Sequence, residues 1–154
     1  MDPQQKALTI FKKQLSLVDL EKELLKLPQV EAPVKHSFAP GVYIRELFIP
    51  KDSLIIGKRH RYETCNILLK GELSIYMGPG IPVKRIKAPC IFNSRPGTKK
   101  MGYSHEDSIF VNIHPTNETD LEKIEDEFII SEEEFQQQII QGDSEGDQLC
   151  PGQQ

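Results

Sequence analysis

A chain of 154 residues that is 38% hydrophobic and 27% charged suits one globular domain with a real core, and no apolar run in it approaches the ~20 residues that span a bilayer. The opening MDPQQKALTIFKKQ interleaves lysines with apolar residues and does not read as a secretory leader, so a cytoplasmic, reducing setting is expected. Three cysteines, Cys65, Cys90 and Cys150, are too scattered for a disulfide framework or a zinc knuckle, and the formal net charge of −4 is modest.

The first segment, residues 1–30, has helical character. Leu17, Leu20, Leu24 and Leu27 recur at three- and four-residue steps and share one helical face. Ser16 with Asp19 forms a cap and Pro28 a stop. The apolar stripe needs a cover, either the outside of the following domain or a second copy of the chain.

Residues 31–116 read as short strands. Val42–Ile49 is rich in β-branched and aromatic residues between Pro40-Gly41 and Pro50, and Leu54–Ile56, Asn66–Leu69 and Leu73–Met77 follow. In the last of these Leu73, Ile75 and Met77 share one face. Gly78-Pro79-Gly80 marks a turn, and Val83–Ile86, Ile91-Phe92 and Ser108–His114 complete the set. No helical stretch separates them, which excludes a βαβ arrangement and predicts a mainly β, antiparallel barrel or jelly roll. Residues 117–141 return to helix, with a capping box at Thr119–Glu122 and a second cap at Ser131. Residues 142–154 have little to bury and are expected to be disordered.

Charge is unevenly spread. Between Gly57 and Met101 stand Lys58, Arg59, Arg61, Lys70, Lys84, Arg85, Lys87, Arg95, Lys99 and Lys100 against Glu63 and Glu72. Between Glu118 and Glu134 the acids dominate, with Lys123 alone opposing them. Both are read first as solvated faces; the sharper reading lays the acidic segment across the basic one, in the same subunit or a neighbour, until an anionic partner competes. The cations are spread over several strands, so nucleic acid is not expected as a partner.

The stretch Gly57–Leu73 (GKRHRYETCNILLKGEL) resembles the first motif of the cupin superfamily, and Ala88–Lys100 (APCIFNSRPGTKK) resembles the second. His60, eleven residues before Gly71, matches the second histidine of the first motif. More narrowly, His36–Glu46, Pro96–Tyr103 and Asn112–Thr116 are similar to small cupin-like proteins of tailed phages. The resemblance implies a single cupin-type antiparallel β-barrel or jelly roll, with an N-terminal helix and an acidic C-terminal helical segment added.

By the same spacing, the family's other metal-ligand positions fall on Lys58, Thr64 and Lys100, and only His60 keeps a ligand. Protonated lysines repel a cation, so no metal cofactor is expected at the family site. A regrouped site of His60, His114 and Glu63, with His36 or His105 nearby, is the alternative that would suit a divalent transition metal. Lys58, His60 and Lys100, with Arg95 outside them, would instead suit an anion, with binding strengthened as His60 gains its proton near pH 6.5. No nucleophile elbow, phosphate loop or dinucleotide fingerprint is present, and no catalytic residue is assigned.

The expectation is a non-catalytic cupin-like binding or assembly module in a phage-associated setting, in host cytoplasm or virion. Its partners would be its own copies, as a dimer or higher homo-oligomer, and phage structural or host proteins, with no membrane. The alternatives are a sensor or enzyme for a sugar-phosphate-like anion and a metal-dependent cupin enzyme.

Overall fold

The computed structural model describes residues 16–145, with the side chains of 142–145 left aside. The elements run α1 (Leu17–Leu24), β1 (Val34–Ala39), β2 (Val42–Ile49), β3 (Leu54–Ile56), β4 (Arg59–His60), β5 (Thr64–Lys70), β6 (Glu72–Tyr76) and β7 (Lys84–Lys87). They continue with β8 (Cys90–Ser94), β9 (Met101–Ser104), β10 (Ser108–His114), α2 (Leu121–Phe128), β11 (Ile129–Ile130) and α3 (Glu132–Glu145). Residues 1–15 and 146–154, and with them Cys150 and most of the tail expected to be disordered, lie outside the described residues. No helix among those described is long and apolar enough to cross a membrane.

Two antiparallel sheets face each other, one in the order β1-β2-β10-β5-β8 and the other β3-β9-β6-β7. Consecutive strands β5 and β6 lie in different sheets, and so do β9 and β10. That alternation of sheets is the wiring of an eight-stranded jelly roll with β1 added at an edge. The expected barrel needs one refinement. The two large sheets are not joined by hydrogen bonds into one closed cylinder, and β4 pairs with β11 in a small ladder apart, so the molecule is a two-sheet sandwich with a two-stranded addition.

The core follows from alternation. Leu47 and Ile49 of β2, Leu68 of β5, Leu73 and Ile75 of β6 and Ile86 of β7 are buried together between the sheets, with Phe92 and Phe110 against them. Helix α1 covers the outer face of the four-stranded sheet, packing Leu17 and Leu20 on Tyr76 and Met101. The leucine stripe therefore finds its cover within the same chain. Ser16 caps this helix as expected, its hydroxyl accepting from the Asp19 amide at 3.3 Å.

The second capping box is displaced by one residue. Asp120, not Thr119, is the N-cap of α2 and accepts from the amides of Glu122 and Lys123. A carboxylate is the stronger acceptor for orphan amides, and Thr119 stays outside the helix. Ser131 caps α3 through the amide of Glu134 at 3.1 Å.

One backbone position admits no side chain. Gly71 turns β5 into β6 at φ +92°, and a Cβ there would stand 2.1 Å from Ser108 Oγ and 2.8 Å from the Asp107 carbonyl. Strain and clash act together, so Gly71→Ala should cost about 2–4 kcal/mol of unfolding free energy, read by urea denaturation. Gly41→Ala is the comparison: φ is also positive at +76°, but nothing lies within 4 Å, and the loss should be near 1 kcal/mol.

Candidate functional site

The interior is apolar at one end and polar at the other. The register across the five-stranded sheet sets this out in rows. Leu47, Phe110, Leu68 and Cys90 are successive partners, and the next inward row is Arg45, Asn112, Asn66 and Phe92. Beyond it, Tyr43 pairs with His114 and Thr64 with Ser94. Thr64, Asn66, Ser94, Asn112 and His114 are all buried, and Asn66 is 0% exposed.

Buried amides must be bonded, and these are. Asn112 Nδ2 donates to Asn66 Oδ1 at 2.8 Å, and Asn66 Nδ2 donates to Ser94 Oγ at 2.7 Å, with the Thr64 and Phe92 carbonyls also in reach. Ser94 Oγ accepts from Lys100 Nζ as well. The lysine ammonium lies 5.4 Å from the Phe92 ring centre and 5.8 Å from that of Phe110, both in cation–π range.

His60 and His114 meet edge to face at 5.3 Å. His114 is also stacked on Tyr43 at 5.7 Å, and the Phe128 ring of α2 lies 4.7 Å away. The Tyr43 hydroxyl is 2.7 Å from His36 Nδ1 on the edge strand. Burial, then the neighbouring His114, Lys100 and Arg45, push His60 down to about 4. Burial and Arg45 lower His114 in the same direction. Burial lowers Lys100 to about 8, which leaves it mostly charged at neutral pH. The expected gain of a proton on His60 near pH 6.5 is thereby displaced to far more acidic conditions.

The residues singled out from sequence divide into two groups. His60, Lys100 and His114 come together at the polar end. Lys58 does not join them: β4 begins only at Arg59, alternation is not kept before it, and Lys58 pairs with Glu125 of α2. Arg95 is on the surface. Glu63 is exposed and accepts from Asn93 Nδ2 at 3.2 Å, facing away from the histidines. His105 follows β9 of the other sheet, with Nε2 2.7 Å from Ser74 Oγ.

A divalent metal fits this donor set poorly. Among the described residues no three His, Cys, Asp or Glu side chains group as a metal would require. The third party to the two imidazoles is an ammonium and a guanidinium, not a carboxylate.

Sequence reasoning missed Arg45, and with it Asn66, Ser94 and Tyr43. Arg45 is half-buried in the inward row and makes no hydrogen bond or ion pair among the described residues. Most of the other basic residues around this end are paired. Arg59 and Lys99 bond Glu132, Lys99 also bonds Glu21 at 2.8 Å, and Arg61 bonds Glu134. A separate surface cleft of about 390 Å³ opens between Leu17, Val18, Met77, Ile81 and Lys99. Its cations Arg59 and Lys99 are already neutralised by Glu132 and Glu21.

The depressed histidines set a pH dependence of stability. For His60 the unfolded chain binds a proton near 6.5 and the folded one near 4, so the unfolded state holds more protons between these values. Stability is full above pH 6.5 and falls as pH drops toward 4, by roughly 3 kcal/mol for this group. Urea midpoints measured at intervals from pH 7 to 4.5 should decline in the wild type, and much less in His60→Gln.

No protein-family model and no curated protein matches the chain. Among solved structures it is similar to an uncharacterised conserved protein with a double-stranded β-helix domain from Klebsiella pneumoniae, at 21% identity and TM-score 0.48, over 58% of this chain and 82% of that one. It is also similar to KdgF from a Halomonas species, at 14% identity and TM-score 0.48, over 61% and 88%. A cupin superfamily protein from Desulfitobacterium hafniense gives 10% identity and TM-score 0.47, over 67% and 90%. Likeness of this degree concerns the fold and carries nothing about activity.

Proposed function

We propose that the chain is a non-catalytic binding module whose polar interior takes a small anion, a phosphate- or carboxylate-bearing molecule. One observation carries this reading: Arg45 and Lys100 are half-buried cations beside two neutral imidazoles, with no carboxylate partner among the described residues. A buried charge held without a counter-charge is costly, and a bound anion would offset that cost. Arg45 presents a planar fork suited to carboxylate or phosphate, and Lys100 a point charge steadied by Ser94. Phe92 and Phe110 supply an apolar wall.

Titration calorimetry with phosphate, sulfate and small carboxylates tests the reading. Arg45→Ala and Lys100→Ala should each remove a charge-assisted hydrogen bond, worth roughly 1.5–3 kcal/mol, or about ten- to a hundredfold in affinity. Affinity in the wild type should fall as pH rises through about 8, where Lys100 loses its proton. No binding at millimolar anion, or binding indifferent to both substitutions, would overturn it.

Self-association is a second reading, on a different observation. The outer face of the five-stranded sheet carries Ile44, Phe48, Cys65, Ile67, Leu69 and Ile91, of which Ile91 is 71% exposed. Among its charges, Lys35 and Glu46 pair with each other at 3.5 Å, which reduces like-charge repulsion in a two-fold copy of the face. An apolar face of this breadth is the signature of an interface. Light scattering at tens of micromolar should give a dimer mass, and Ile67→Asp with Ile91→Asp should give the monomer; a wild-type monomer would exclude it. A tailed-phage setting for such assembly is supported by the sequence resemblance alone.

A further inference from the structure

We propose that the acidic segment from Leu121 to Gln141 is a detachable arm that gates access to His60 and His114. The proposal rests on the anion reading for its purpose, but not for its test. The arm lies over the end of the sandwich where the polar cluster sits. Phe128 packs on His114, and stands edge to face with Tyr62 at 5.9 Å. Ile124 and Phe128 form with Tyr43 a small cluster of their own, separate from the main core. Removing the arm would therefore uncover the polar end while leaving the inter-sheet core buried.

Ion pairs act together with the buried Ile124, Phe128 and Ile130 in holding the arm. Lys58 pairs with Glu125, Arg59 and Lys99 with Glu132, and Arg61 with Glu134. Partial burial works to raise the Glu132 carboxyl, yet hydrogen bonds from Arg59 and Lys99 outweigh it and hold it below the usual range. The backbone contribution is slight. Strand β11 pairs only two residues, Ile129 with His60 and Ile130 with Arg59, and one further bond runs from the Arg61 amide to the Phe128 carbonyl at 2.7 Å. By contrast β10 is paired along most of its length on both sides.

A second aromatic anchor, Phe135, lies 4.1 Å from the Arg59 guanidinium and fills the space above Gly97, where a Cβ would stand 2.5 Å from its ring. The root of the arm is pinned separately: Asn117 Oδ1 accepts from the Gly41 amide at 2.7 Å, and the Thr116 amide donates to the Gly41 carbonyl at 3.1 Å. Between that root and Leu121 the chain has neither helix nor strand. A segment held by a small apolar cluster of its own, a two-residue strand and ion pairs that are partly exposed, on a fixed root, is the kind that opens locally without global unfolding. Its ion pairs are screened by salt, so opening is favoured as ionic strength rises.

Access can be read without any ligand, by carbethoxylation of the full chain with diethyl pyrocarbonate at pH 7 and mass-spectrometric localisation. His60 and His114 are held neutral there, the form the reagent attacks, and His105, bonded to Ser74 on the side of the other sheet, is the internal reference. The test variant is Glu125→Gln with Glu134→Gln, which cuts two exposed pairs and leaves the buried Lys99 cluster intact. Its labelling of His60 and His114 should rise about three- to tenfold over wild type, the loss expected for two surface pairs, with His105 unchanged. Added sodium chloride should raise the same two rates in wild type and much less in the variant. Hydrogen exchange should show residues 121–130 opening faster in the variant, with β5 and β10 unaltered. Unchanged labelling of His60 and His114 while the arm exchanges faster would overturn the gate, as would arm amides exchanging as slowly as those of β5 and β10 in every condition. Gated labelling against which phosphate gives no protection supports the gate and removes the anion reading, so the two fail separately.

Discussion

Asn66 stands on β5, between β10 and β8 of the five-stranded sheet, with no exposure to solvent, and the arrangement of the polar end depends on how it is satisfied. Its oxygen takes the Asn112 amide and its nitrogen reaches Ser94, the same hydroxyl that receives Lys100. An unsatisfied buried amide costs about 1–3 kcal/mol, so each member of this chain holds the next in place. The row of Asn112 and Asn66 is also where the interior changes character. On one side Leu68, Leu47 and Phe110 face the other sheet; on the other side stand Tyr43, His114 and Ser94. A layer of amides bonded to each other makes that boundary without leaving a polar group stranded in hydrocarbon.

Electrostatics then separates the basic residues by role. The excess of lysine and arginine in the middle of the chain and the excess of acid after it meet in the fold, through Lys58, Arg59, Arg61 and Lys99 on one side and Glu125, Glu132 and Glu134 on the other. The acidic segment lying across the basic surface of its own subunit is thus what the ion pairs describe. Arg45 and Lys100 fall outside this neutralisation because they point inward, where no carboxylate follows. Their field adds to burial in keeping His60 neutral. Among the described residues this group offers a metal cation no carboxylate.

Much of the fold was legible in the sequence because its signals are local. The alternation of Leu73, Ile75 and Met77, the serine caps at 16 and 131 and the leucine stripe of α1 each state their own structure. The site was legible only in part, and for a physical reason. In Val42–Ile49 both faces carry mixed residues, so nothing local says that Arg45 faces inward; only its pairing with Asn112 decides it. Asn66 in a run of apolar residues reads as an outward polar position until its partner in β10 is known. Lys58 fails in the opposite direction. Family spacing places it beside His60, but a two-residue strand cannot carry alternation back that far, and Glu125, remote in sequence, captures it. Hydroxyl, amide and guanidinium chemistry brought together by four strands leaves no spacing to read.

Stability and binding are coupled through these buried charges. Holding Lys100 charged costs free energy in the folded state, and so would protonating His60; the lowered proton affinities of both groups record these costs. An anion between them would relieve the first cost and diminish the second, so it would bind the folded chain alone and add its binding energy to the fold. The arm contributes from outside. Its carboxylates are spent on the rim cations and do not enter the interior, so closing it shields the polar end from water without neutralising Arg45 or Lys100. Removing water around an unpaired cation strengthens its pull on any anion already within. A cover that excludes solvent while leaving the inner charges unpaired favours retention of an anion over its free exchange.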